Sequence, residues 1–172
     1  RLPFADNVFD YVVSSDFFGH VDNSVKDKII LEIKRVLKPG GKTLHIIETD
    51  SNNYWFRQAH KYPDLFKKYF IDQIGGHIGL EMPGECVKRW EENGFDVIKS
   101  EKIWGLIWPI QDYQGLFDNE YKQKFKMARL VVAVSKFFSR FKPVQAVINI
   151  ILNPLNYAVE FFTGLNHGQG LM

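Results

Sequence analysis

The sequence predicts an α/β fold, and three features carry that prediction. A β-rich run at 8–15 is followed by helical periodicity over 25–37, and a second β-rich run spans 42–48. Strand, helix, tight turn and strand form a βαβ unit, whose strands lie parallel. The length, 172 residues, suits one domain with a substantial core.

Val8 to Ser15 is almost continuously apolar between Asp6-Asn7 and Asp16, the pattern of a strand buried on both faces. Ser24 is the expected N-cap of the helix, with Asp27 in the capping-box position. Ile29, Ile30, Ile33, Val36 and Leu37 recur at helical spacing, opposite Lys26, Lys28, Glu32, Lys34 and Arg35. Pro39-Gly40-Gly41 is expected to end the helix, since proline biases Lys38 out of helical geometry and glycine accepts positive φ. Lys42 to Glu48 is the second strand.

Asp50 to Asn53 reads as a loop, and 54–70 as two short aromatic helices separated at Pro63. Glu81 to Asn93 reads as a helix ending at Gly94, with Cys86, Val87 and Trp90 on one face. Phe95 to Ile103 alternates as a strand. Two further helices are expected at about 118–141 and 144–163, the second interrupted at Asn153-Pro154. The chain carries 22 Lys+Arg and 20 Asp+Glu, too even a balance to mark a nucleic-acid binder. Residues 118–142 hold seven basic and two acidic side chains, a local +5. The single cysteine, Cys86, excludes an internal disulfide and any multi-cysteine zinc site. No run of 18 uncharged apolar residues provides a conventional spanning helix.

Three motifs in order carry a resemblance. Leu2-Pro3-Phe4-Ala5-Asp6-Asn7 leads into Val8-Phe9-Asp10-Tyr11-Val12-Val13-Ser14-Ser15. His20-Val21 follows, and then Ile33-Lys34-Arg35-Val36-Leu37-Lys38-Pro39-Gly40-Gly41. Together they resemble the middle of a class I S-adenosylmethionine-dependent methyltransferase. The resemblance implies a partial doubly wound, Rossmann-like sheet, with core segments 1–50 and 81–103. An aromatic segment at 51–80, a helical insertion at 104–165 and the start of a last strand at 168–172 complete the expected division. The family's Gly-x-Gly-x-Gly cofactor loop and its ribose-binding acid are not in these residues; Gly75-Gly76-His77-Ile78-Gly79 follows no strand. The expectation is therefore a fragment whose front, on the order of 80 residues, lies upstream. Arg1 in place of methionine agrees with a missing start.

The implied cofactor is S-adenosylmethionine. The resemblance places Ser14, Ser15 and Asp16 beside the cofactor crevice and Leu2 near the adenine edge, Ser15 being the position carried over first. His20 is the candidate catalytic base, its alternative a packing role at the start of the helix. Glu48 and Asp50 close the second strand at the same sheet end, either as substrate ligands or as solvated acids. His60 and His77 read as surface or loop histidines, and no histidine spacing suggests a metal, so none is expected. The aromatics at 54–70 and 104–117 either form a substrate lid or pack on the sheet. The basic helix at 118–142 is open to three readings: a solvated face, a contact with anionic membrane, or a site for an anionic substrate or nucleic acid.

The expected function is methyl transfer to a small, apolar or lipid-like acceptor, by a cytoplasmic protein or one peripheral to the membrane. The alternative is a non-catalytic methyltransferase-like module that binds a membrane or protein partner through 118–163. Either way, the edge of Val8–Ser15 should self-associate or be completed by other chain, and these residues alone should bind S-adenosylmethionine weakly.

Overall fold

The computed structural model describes residues 1–52, 54–73, 76–103, 117–124, 126–163 and 170–171. They form two compact units. One contains 1–51, 75–103 and 169–172, and the other 52–74 and 104–168.

In the first unit β1 (Phe9–Ser15) runs parallel to β2 (Leu37–Glu48), joined by α1 (Asn23–Val36). Val12 pairs with Thr43, Val13 with Leu44, Ser14 with His45 and Ser15 with Ile46. The remaining strands are β3 (Lys102–Ile103) and β4 (Gly170–Leu171); β4 lies antiparallel between β2 and β3, giving the order β1-β2-β4-β3. The unit is an α/β fold, a parallel βαβ pair extended by two short antiparallel strands. Its core joins Ile30 and Ile33 of α1, Leu37 and Ile47 of β2, and Cys86 and Trp90 of a later helix, α4 (Pro83–Glu92).

Four local expectations change. The N-cap of α1 is Asp22, whose carboxylate accepts from both the backbone N–H and the hydroxyl of Ser24. A carboxylate is the stronger acceptor and favours the positive end of the helix dipole. The helix stops at Val36, and Leu37 is already extended. Pro39-Gly40-Gly41 falls inside β2, where the register jumps from Phe9↔Leu37 to Tyr11↔Lys42, and Gly40 takes φ +76°. These residues make the irregularity rather than the helix end.

β1 is buried on one face only. Val12 and Ser14 turn toward the core, while Tyr11 and Val13 are about 70% exposed at 69% and 70%. The near-continuous apolar run described two different faces, because no described element of this unit covers the second. Finally, the strand expected at 95–103 is a ladder only at 102–103. Phe95 and Val97 do pack on the core while Ile98 points out, so the alternation was real. A strand also needs a partner, and the described β4 offers one only to Lys102 and Ile103.

The second unit is helical: α2 (Tyr54–His60), α3 (Pro63–Phe66), a π-type turn at Lys67–Gln73, α5 (Tyr121–Lys124), α6 (Lys126–Ser139) and α7 (Lys142–Thr163). Pro63 opens α3 at a first-turn position, where its missing N–H costs nothing. Phe56, Ala59, Leu65, Phe70, Phe117, Tyr121, Ala128 and Val132 form the core. The buried Tyr121 hydroxyl donates to the Ala59 carbonyl at 3.1 Å. α7 continues through Pro154 instead of being interrupted there. Pro154 has no N–H to donate, so the helix forfeits one hydrogen bond there without ending. The aromatic run 104–116, with Trp104, Leu106, Ile107, Trp108 and Pro109, lies outside the described residues.

Candidate functional site

Two of the sequence motifs turn out to be one device. Arg35, near the end of α1, donates to the Leu2 and Phe4 carbonyls at 3.2 and 2.8 Å and to Asp6 at 2.6 Å. Glu32, one turn earlier, accepts from the Leu2 N–H at 3.0 Å and from Arg35 at 2.9 Å. The Leu-Pro-Phe-Ala-Asp loop is thus clasped by the helix that precedes Pro-Gly-Gly. Those hydrogen bonds, chiefly from Arg35, hold the Glu32 carboxyl down at about 2. Leu2 is exposed on this clasped loop.

Ser14 and Ser15 end β1, and Asp16 follows. The Ser14 hydroxyl is engaged by His45 Nδ1 at 2.6 Å on the core side. Ser15 is exposed, and its hydroxyl donates to Asp16 at 2.7 Å. Asp16 takes φ 52°, and its N–H donates to the Ile46 carbonyl at 3.1 Å. Asp50, beyond β2, donates its N–H to the Glu81 carbonyl at 2.9 Å and accepts from the Ser51 N–H.

Glu48 closes β2 and gathers two histidines. His20, ending the 3-10 turn Phe18–His20, places Nε2 3.5 Å from Glu48 Oε1. His77 places its Nε2 3.6 Å from the same oxygen. The imidazoles lie 4.4 Å apart, centroid to centroid. Linear spacing carries no signal of this trio, and the sequence alone marks His77 as a surface or loop histidine. What brings its loop in is backbone contact. Gly79 N–H donates to the Gly19 carbonyl at 2.9 Å, and a Cβ on Gly79 would stand 1.8 Å from the Val21 carbonyl oxygen. A Cβ on Gly19 would meet Glu48 Oε2 at 2.8 Å. Both glycines are required for the approach.

Beneath this loop Lys26, sealed within α1, donates to the Gly79 carbonyl at 2.5 Å and to Glu81 at 2.7 Å. Arg89 bonds the other Glu81 oxygen and also Asp27. Burial alone would raise the Glu81 carboxyl, but the bonds from Arg89 and Lys26 outweigh it and leave it below its ordinary value. Cys86 is buried beside this network, and burial pushes its thiol up to about 12, so at neutral pH it is a packed thiol rather than a nucleophile. His45, buried between Ser14 and Thr43 and stacked on Trp90 at 4.4 Å, is lowered to about 4 by desolvation. His60, in the other unit, is exposed and stacks on Phe66.

In that second unit the basic helices are partly compensated. Asp118 accepts from Lys122 at 2.6 Å and pairs with Lys136 at 2.5 Å, and Glu120 pairs with Lys68. Met127, Leu130, Val134, Phe137 and Phe141 stay exposed at alternating spacings of three and four. Among the described residues no helix is long and apolar enough to cross a membrane.

Residues 1–45 match the family model described as a methyltransferase domain. The chain is 30% identical over 108 residues to the ubiquinone/menaquinone biosynthesis C-methyltransferase UbiE of Cupriavidus metallidurans, covering 60% of this chain and 42% of that protein. It is 29% identical over 119 residues to the demethylmenaquinone methyltransferase of Bacillus velezensis, covering 62% and 50%. The chain therefore spans half or less of the length of these curated relatives. Among solved structures it is similar to phosphoethanolamine N-methyltransferase 2 of Haemonchus contortus in complex with S-adenosyl-L-methionine. The TM-score there is 0.44 at 20% identity, over 98% of this chain and 33% of that one.

Proposed function

We propose that this chain is part of a class I S-adenosylmethionine-dependent methyltransferase that methylates a small apolar acceptor. The names of the relatives support an acceptor of the demethylmenaquinone or ubiquinone type. The observation that carries the reading is the shared edge of two adjacent parallel strands: Ser15 ends β1 with Asp16 just beyond, Glu48 ends β2, and His20 reaches Glu48. In a doubly wound sheet ligands bind beyond the carboxyl ends of the strands.

S-adenosylmethionine supplies an electrophilic methyl group on a sulfonium when bound. Ser15 and Asp16, whose side chains are exposed, would hold it, and Leu2 would contribute on the adenine side. The cofactor contact falls to Ser15 rather than Ser14, because the Ser14 hydroxyl is engaged by His45. Alignment of the acceptor with the methyl group is the main contribution, worth up to ~7–11 kcal/mol in well-oriented systems. His20 accepts the acceptor's proton and Glu48 stabilises the resulting imidazolium, an assistance of roughly 10²–10⁴-fold.

The test is transfer of isotopic label from methyl-labelled S-adenosylmethionine to a demethylmenaquinone analogue by the intact protein that carries this chain. Label in the quinone, and a His20→Ala variant with a kcat at least tenfold lower at unchanged cofactor affinity, are expected. Cofactor binding without label transfer would overturn the acceptor assignment, and an unaffected variant would overturn the role of His20.

A second reading concerns α6 and α7. The exposed apolar row, continued by Val144, Val147 and Ile151, runs beside Lys126, Arg129, Arg140 and Lys142. That pattern supports docking on an anionic membrane, each basic residue contributing about 1 kcal/mol near the surface, where an apolar acceptor would be met. Co-flotation with anionic but not neutral vesicles is expected; equal partition into neither would reject it.

A further inference from the structure

We propose that His20, Glu48 and His77 form a binding site for a divalent cation of the zinc class, at the carboxyl edge of β1 and β2. A ring nitrogen of each histidine and a carboxylate oxygen of Glu48 lie within 4.8 Å of one another. Glu48 Oε1 stands 3.5 and 3.6 Å from the two nitrogens, longer than N–H···O hydrogen bonds of about 2.7–3.2 Å. Those separations match another geometry. Ligands about 2.0–2.1 Å from a tetrahedral zinc ion are roughly 3.3–3.4 Å from each other. The second carboxylate oxygen, Oε2, is buried with no hydrogen-bond partner among the described residues. A carboxylate so placed gains from a cation bound at the two ring nitrogens.

The donor set selects the ion. Two imidazoles and one carboxylate suit zinc, cobalt or nickel, whereas magnesium and calcium prefer all-oxygen shells. Three protein ligands leave a fourth position open, the arrangement of sites that keep a water or an exchangeable oxygen ligand. Each ligand is carried by a different segment: the 3-10 turn, the end of β2 and the loop before α4. The Gly19–Gly79 backbone bond and Lys26 fasten two of those segments together. His20 Nε2 cannot hold a cation and accept a proton at once, so a loaded site would suppress the base role proposed above.

Calorimetric titration of the chain with zinc sulfate tests the site without cofactor or acceptor, so its outcome is separate from that of methyl transfer. One zinc per chain is expected, and Co²⁺ should give the visible absorption of a tetrahedral complex. His77→Ala and Glu48→Gln should each weaken zinc binding at least tenfold, with circular dichroism unchanged, while His60→Ala should leave it unaltered. No zinc binding by the unsubstituted chain, an octahedral Co²⁺ spectrum, or equal affinity in His77→Ala and His60→Ala would overturn the site.

Discussion

Lys26 and Glu81 form an ion pair closed off from solvent, Nζ to Oε2 2.7 Å, with side-chain exposures of 1% and 7%. It links α1 to the segment before α4, and the same ammonium holds the Gly79 carbonyl that keeps His77 beside Glu48. Removing one partner of such a pair leaves a buried charge and costs about 3–5 kcal/mol. Arg89 still bonds Glu81, so Lys26→Met should cost about 3 kcal/mol, read from urea unfolding. Replacing Lys26, Glu81 and Arg89 together with apolar residues should recover most of that loss; a triple variant as unstable as the single one would refute the account.

His45 is lowered to about 4 by burial. Its folded value lies below the unfolded value of about 6.5, so between these values the unfolded chain binds a proton that the folded chain refuses. Stability from this group is complete above pH 6.5 and falls as the pH drops toward 4, by at most about 3 kcal/mol. His45→Gln should flatten that part of the stability profile. The ring resonances of His45 should not titrate near pH 6.5, and titration there would contradict the assignment.

Gly79 has no room for a side chain, since the obstacle at 1.8 Å is the Val21 backbone oxygen. Gly79→Ala should therefore destabilise by about 1–3 kcal/mol and separate the His77 loop from Glu48. Zinc affinity should fall with it. An alanine variant that melts like the parent would show that the loop packs differently.

Arg35 joins the Leu2–Asp6 loop to α1 through three acceptors. Arg35→Ala should free that loop, so amide exchange at residues 2–6 should accelerate at least tenfold while α1 stays protected. Uniform exchange across both segments would instead indicate loss of the whole unit.

β1 ends the described sheet, with Tyr11, Val13 and Leu44 exposed on its open face. An apolar edge strand of this kind pairs with further chain. Sedimentation should show concentration-dependent association that Val13→Lys reduces, and a monomer at high concentration would refute it. The sequence contains no Gly-x-Gly-x-Gly run behind a strand, so the isolated chain should bind S-adenosylmethionine more weakly than micromolar. Calorimetry measures that directly.

What the residues determined by themselves was local or periodic. The βαβ unit, the parallel pairing it requires, the Pro63 break and the buried Cys86 follow from spacing and turn chemistry within a few residues. So does the motif order that relates residues 1–45 to methyltransferase domains. What only tertiary structure decided concerns groups brought together from far apart in the chain. His20, Glu48 and His77 meet because two glycine backbones touch, and a side chain's absence leaves no periodic signal. Asp22 displaces Ser24 as the cap because both compete locally with similar propensities and the stronger acceptor wins. Which face of β1 is covered, and how much of 95–103 becomes strand, depends on neighbours supplied from elsewhere in the chain.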